Sequence, residues 1–293
     1  MTVLGVVFRP QLPPERLRAV AEAADAAGLE ELWLWEDCFL ESGIASAAAA
    51  LAWTSRLTVA VGLLPVPLRN VALTAMEVAN LERMFPGRLK IGVGHGVQDW
   101  MAQVGARVPS PLTLLREHLA ALRALLRGET VSTAGRYVTL DNVALDWPPA
   151  TAPAIHAGAM GPRTLRLCGE AADGTIIVAG TTPQRLREAV SLVHEGRAGA
   201  GRTDPHPVTV YLHAAGPDGV QRLSAEMARY GYPDPGECSV AGAAEEVAAG
   251  VRRWAEAGAD TVVLQPTADD PDPEAFVHFV AREVKPLCDT TSR

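Results

Sequence analysis

The 293-residue sequence holds no run of lysine or arginine, and its formal net charge is −8. Basic residues sit singly among acids, which argues against a nucleic-acid partner. No apolar stretch reaches the length of roughly 20 residues that a membrane-spanning helix needs, so no membrane partner is expected. The four cysteines, Cys38, Cys168, Cys238 and Cys288, are far apart and form no Cys-x-x-Cys pair. That spacing indicates neither a disulfide framework nor a zinc site. His156, His194, His206, His213 and His278 are scattered without metal-ligand spacing, and no metal is expected. Gly-x-Ser-x-Gly, Walker and His-Glu-x-x-His motifs are absent as well. Met1-Thr2 leads straight into the apolar run Val3–Phe8, with no basic n-region and no small-residue cleavage site. The expected compartment is a reducing cytoplasm.

Short β-rich apolar runs alternate with longer Ala/Leu/Arg/Glu-rich stretches of helical period, the pattern of an α/β fold with a parallel sheet. Strands are expected near Leu4–Phe8, Glu31–Trp35, Leu57–Leu63, Leu89–Val93, Ala154–Ala157, Gly174–Val178, Val208–His213 and Thr261–Leu264. Pro13-Pro14-Glu15 opens the first helix, where a missing N–H costs nothing. Gly28 closes it with a left-handed cap. Eight strands, each followed by a helix, predict a (β/α)8 TIM barrel as one domain over residues 1–293, rather than an open doubly wound sheet. Arg127 to Pro149 breaks the alternation with Gly128, Gly135, Asp141-Asn142 and Pro148-Pro149. It reads as a short inserted hairpin or excursion between the fourth helix and the fifth strand.

In such a barrel the reactive groups lie on loops after the C-terminal ends of the strands. After the first strand, Arg9 is either a carboxylate-binding group or a solvated loop residue. After the second, alternation places Trp33, Trp35 and Asp37 on one side and Glu36 with Cys38 on the other. Two adjacent carboxylates there repel unless solvated or paired. After the third, Gly62-Leu63-Leu64 and the prolines that follow form either a flat wall for a planar ring or a stiffened loop. The fourth strand ends in Gly92-Val93-Gly94-His95-Gly96, whose glycines let backbone approach a ligand. His95 is the best acid–base candidate by residue type, and alternatively only positions the loop or touches a phosphate. This Gly-x-Gly-x-Gly lacks dinucleotide-fold spacing. After the fifth strand, Gly158-Ala159-Met160-Gly161-Pro162-Arg163 joins small residues to a helix start, which either suits a phosphate despite the net negative charge or is only a tight βα turn.

Four stretches, in this order, carry a resemblance: AEAADAAGLEELWLWEDCF, GLLPVPLRNVALTAMEVANLERMFPGRLKIGVGHG, AGAMGPRTLRLCGEAADGTII and VAGAAEEVAAGVRRWAEAGADTVVLQP. Together they resemble the luciferase-like monooxygenase superfamily over nearly the whole chain. Pro13-Pro14-Glu15 and the later GAMGPR are similar to members that use the deazaflavin coenzyme F420. The resemblance implies a flavin- or deazaflavin-dependent oxidoreductase, with F420 as cofactor or FMN as the alternative, a small-molecule substrate and a homodimer. It implies a ring over Gly62, Leu63 and Leu64 beside Asp37 and Gly94, and a phosphate at Gly158, Ala159, Met160, Gly161 and Arg163, with Thr181 near. Arg9, Trp35, Cys38, His95 and Trp100 would then face the substrate.

Relatives commonly place Asp followed by His over the ring, where this chain has Asp37-Cys38. Some carry an acid after the fourth-strand glycines, where this chain has Val97. His95 therefore stands beside Asp37 and Cys38 as a catalytic candidate. Relatives also hold a non-proline cis peptide near the third strand's end, here expected between Ala60 and Leu64. The implied reaction is hydride transfer from reduced F420 to a C=C or C=N bond of a secondary-metabolite-like substrate. The alternatives are an FMN-dependent monooxygenase and a catalytically inactive, cofactor-binding member.

Overall fold

The computed structural model describes residues 2–232 and 235–289. In chain order the elements are β1 (Val3–Val7), α1 (Leu17–Ala27), β2 (Glu31–Leu34), α2 (Gly43–Trp53), β3 (Thr58–Pro65), α3 (Val71–Met84), β4 (Leu89–Gly94), α4 (Gln98–Gln103) and α5 (Pro111–Leu126). The hairpin β5 (Val131–Ala134) and β6 (Thr139–Val143) follows, then β7 (Ile155–Gly158), α6 (Pro162–Ala171), β8 (Gly174–Ile177) and α7 (Pro183–Gly199). The last part holds β9 (Val208–Ala215), α8 (Val220–Arg229), α9 (Pro235–Cys238), β10 (Ser239–Ala241), α10 (Ala244–Glu256), β11 (Thr261–Gln265), α11 (Pro273–Phe279) and α12 (Lys285–Asp289).

Pairing runs β9-β11-β1-β2-β3-β4-β7-β8, and a β8–β9 ladder closes the ring, so eight parallel strands form the expected barrel. Strands β2, β7, β8, β9 and β11 are buried along their whole length, as a parallel sheet covered on both faces requires. The helices bury one stripe each. In α1 that stripe is Leu17, Val20, Ala21 and Ala24, at helical spacing, and Gly28 ends it at φ 75°. Asp25 then accepts from the backbone N–H groups of Ser55, Arg56 and Leu57, tying the end of α1 to the entry of β3.

The Arg127–Pro149 excursion is the antiparallel β5–β6 hairpin, outside the barrel sheet. One strand was not anticipated. β10 pairs with Ala215, Ala214 and His213 at the end of β9, beyond the point where β8 stops at Val210. Sequence alternation therefore ended β9 two residues too early.

The barrel interior is partly polar. Glu31 accepts from the Trp33 indole at 2.7 Å and pairs with Lys90. Between Val61 and Leu64 the β3–β4 register shifts, three steps on β3 matching two on β4. The Gly62–Leu63 peptide in this bulge is cis, inside the expected window, and Cys38–Phe39 is a second cis bond that was not foreseen. The bulge is held from across the barrel, where the Tyr211 hydroxyl donates to the Gly62 carbonyl at 2.8 Å.

Candidate active site

A cavity of about 460 Å³ opens among the loops at the C-terminal ends of the strands. Of the expected residues it gathers Trp35, Asp37, Gly62, Leu63, His95, Gly158, Ala159, Met160 and Gly161. The bulge decides its floor. It pushes Leu63 into a notch where a Cβ at Gly94 or at Gly158 would collide with the leucine side chain. Both glycines are thus needed for close approach, but their immediate neighbour is Leu63. Leu64 turns the other way and joins the main core.

Beside this shelf α6 begins. Its N-cap is Gly161, no side chain caps the first turn, and an added Cβ at Gly161 would meet nothing within 4 Å. The open first-turn N–H groups and the positive end of the helix dipole suit an anion there. Met160 is 80% exposed at the mouth. An apolar shelf next to an uncapped helix start fits a planar ring carrying a phosphate tail. Among the described residues no cluster of three or more His, Cys, Asp or Glu side chains is placed to hold a metal ion.

The adjacent carboxylates after β2 separate as alternation requires. Glu36 pairs with Arg69 at 2.7 Å and accepts from Gly43 N–H at 2.9 Å, while Asp37 lines the cavity. Burial raises the Asp37 pKa, with the Arg9 charge opposing. His95 Nε2 lies 3.0 Å from Thr164 Oγ1 on α6, so helix and loop are coupled at this wall. Burial lowers the His95 pKa, and the Pro111 backbone pulls it back up. Cys38 is half-buried outside the cavity lining, and its thiol pKa is raised by burial and by the charges of Glu36 and Asp37.

Several expected contacts are placed elsewhere. Arg9 is only 1% exposed, and it is neither a solvated loop residue nor a free carboxylate binder. Its guanidinium donates to Glu226 at 3.3 Å and to the Pro266 carbonyl at 3.2 Å. Trp100, half-buried on α4, and Arg163, exposed in the first turn of α6, do not line the cavity. Nor does Thr181, whose hydroxyl donates to the Val178 carbonyl at 2.9 Å.

The opposite wall was not foreseen. It consists of His213 from β9, Gln265 from β11, and Tyr230 and Tyr232 beyond α8. A signal for it existed in β9. Val208, Val210, Leu212 and Ala214 face the main core, leaving Thr209, Tyr211 and His213 in register on the inner face.

Comparison with known proteins agrees with this architecture. The profile of the family described as luciferase-like monooxygenase matches residues 4–237. The chain belongs to the luciferase-like monooxygenase family. A 5,10-methylenetetrahydromethanopterin reductase of Methanolobus tindarius is 31% identical over 211 residues, which cover 72% of this chain and 64% of that protein. A phthiodiolone/phenolphthiodiolone dimycocerosates ketoreductase of Mycobacterium tuberculosis is 34% identical over 159 residues, 53% of this chain and 42% of its own length. The matches thus span less than two thirds of these curated relatives. A solved F420-dependent secondary alcohol dehydrogenase, in complex with an F420–acetone adduct, superposes with a TM-score of 0.87 at 22% identity, covering 98% of this chain and 99% of its own. At that identity the likeness speaks for the luciferase-like barrel alone.

Proposed function

We propose that this luciferase-like protein is an F420-dependent oxidoreductase acting on a C=C or C=N bond of a small organic substrate. The observation that carries the reading is the Leu63 shelf lying beside the uncapped start of α6 in one cavity. The solved neighbour that binds an F420–acetone adduct supports the deazaflavin over FMN. When bound, reduced F420 supplies a hydride, which the substrate takes up at carbon together with a proton at the other atom of the double bond.

The chain's own residues orient and protonate. Leu63 of β3, with Ile176 of β8 and Val178 just after it, excludes water from the apolar side of the cavity. Gly161 and the first turn of α6 offer N–H donors to the cofactor phosphate, and Asp37 flanks the shelf. His95, steadied by Thr164, is the group that holds the proton. The same proposal includes a cytoplasmic homodimer, for which the exposed Leu73, Met76 and Met84 of α3, beside Trp147, offer an apolar surface. Light scattering measures that state.

The test is a fluorescence titration with F420 and FMN side by side, followed by oxidation of the reduced cofactor with candidate substrates. F420 should bind more tightly and be turned over. Tighter FMN binding with oxygen-dependent turnover would make the protein a monooxygenase. Binding of neither would remove the reading.

A further inference from the structure

We infer that His213, fixed by Gln265 and flanked by Tyr230 and Tyr232, is the hydrogen-bond donor of a substrate subsite for an uncharged molecule bearing an acceptor atom. Naming that molecule as substrate rests on the oxidoreductase reading above; the selectivity of the subsite does not.

The donor is set by geometry. His213 is 3% exposed yet lines the cavity. The Gln265 Nε2 amide lies 3.3 Å from His213 Nδ1. An amide nitrogen only donates, so Nδ1 accepts and the ring proton sits on Nε2. The Tyr230 and Tyr232 rings each lie 5.9 Å from the imidazole, which limits its rotation. Burial holds the His213 pKa at about 4, so near neutrality the ring is an uncharged donor rather than a cation.

The preference for an uncharged molecule over an anion follows from what the nearby charges already do. Among the described residues no lysine or arginine lines the cavity. Arg9 sits behind this wall, 5.6 Å from the Trp35 ring, but its guanidinium is engaged by Glu226, Gln11 at 3.1 Å and the Pro266 carbonyl. Glu226 in turn accepts from the Ala268 N–H at 2.8 Å. An incoming carboxylate or phosphate would have to break a buried pair to reach Arg9, leaving Glu226 unpaired. Asp37 would repel the same anion. At this wall, among the described residues, an anion finds no free cation, whereas a carbonyl oxygen or imine nitrogen finds an N–H and aromatic walls.

The test uses the full chain, with and without F420, in phosphate buffer to occupy the anion-suited start of α6, and two probes of one shape: acetophenone and 4-acetylbenzoate. Affinities are read by saturation-transfer NMR, with no turnover required. Acetophenone should bind about ten-fold more tightly than 4-acetylbenzoate. His213→Phe keeps an aromatic ring but loses the donor, and should weaken acetophenone about ten-fold, the worth of one hydrogen bond. His213→Gln, which retains an N–H, should recover most of that loss, as a purely structural role would not. Equal binding of 4-acetylbenzoate overturns the inference. So does unchanged acetophenone affinity in folded His213→Phe. Should that variant fail to fold, the probe selectivity of the unsubstituted chain still decides. Failure of F420 to bind would remove the oxidoreductase reading and leave this selectivity measurable.

Discussion

Across the cavity, the wall from β3, β4, β7 and α6 is shaped by backbone and small residues around one leucine. The wall from β9, β11 and the segment after α8 is made of hydrogen-bonded and aromatic side chains. The first can change only by reshaping the strands, since each side chain added at Gly94 or Gly158 meets Leu63. The second can exchange side chains while the barrel stays closed. Under the proposed function, that contrast divides the labour between a fixed surface for the cofactor and an adaptable one for the substrate.

The largest expected effect tests the first wall. His95→Gln should keep the fold and hold cofactor affinity within a few-fold, while turnover falls by roughly 10²–10⁴. Cys38→Ser should cost less, because its thiol pKa is raised and it is the poorer proton donor. Single-turnover oxidation of the reduced cofactor, followed from about pH 5 to 9, compares the two. A parent-like rate in His95→Gln with a dead Cys38→Ser would move the role to Cys38.

Behind the second wall, Glu226→Ala leaves the buried Arg9 charge without its partner. It should lower stability by about 3–5 kcal/mol in urea unfolding. Replacing Arg9 and Glu226 together with methionine should recover much of that loss. An unshifted midpoint in the single variant would show that the pair does not organise this wall.

Gly158→Val should displace Leu63 and weaken cofactor binding by roughly 10–100-fold, or about 1.4–2.7 kcal/mol. Acetophenone should be affected less. If the probe suffers more than the cofactor in these titrations, the assignment of the two walls is reversed.

The smallest effect concerns acid stability. His213 has its pKa lowered from 6.5 to about 4 in the folded chain, so the unfolded chain binds the proton more readily. Its contribution is present above about pH 6.5 and is lost as the pH falls toward 4. His118, His156 and His206, also lowered to about 4, share this behaviour. His213→Phe should therefore flatten only part of the urea-midpoint decline below pH 6.5. A decline of unchanged steepness would mean that His213 is solvated rather than held neutral.

The first wall was readable because glycine and proline report backbone demands locally. Gly92 to Gly96 and Gly158 to Pro162 carry their message within five residues. Arg9 misled for the opposite reason, since its partner Glu226 lies 217 residues away and no local pattern joins them. The three residues of β10 are too few to establish a period, and they gain their strand only by extending the ladder along β9. His213 was visible as a polar residue on the inner face of β9, but its task depended on Gln265, 52 residues further on.

What the sequence by itself determined is the alternation of strand and helix, the caps, and the small residues that leave room at the strand ends. Those are consequences of local backbone sterics and of period-matched burial. Closing the ring brought β8 against β9, and only then did Tyr211 reach the Gly62 carbonyl, Glu226 neutralise Arg9, and His213 face a cavity with one tautomer set by Gln265. Each of these couples groups far apart in the chain, and charge pairing and hydrogen bonding act through distance in space, so only the tertiary structure decided them.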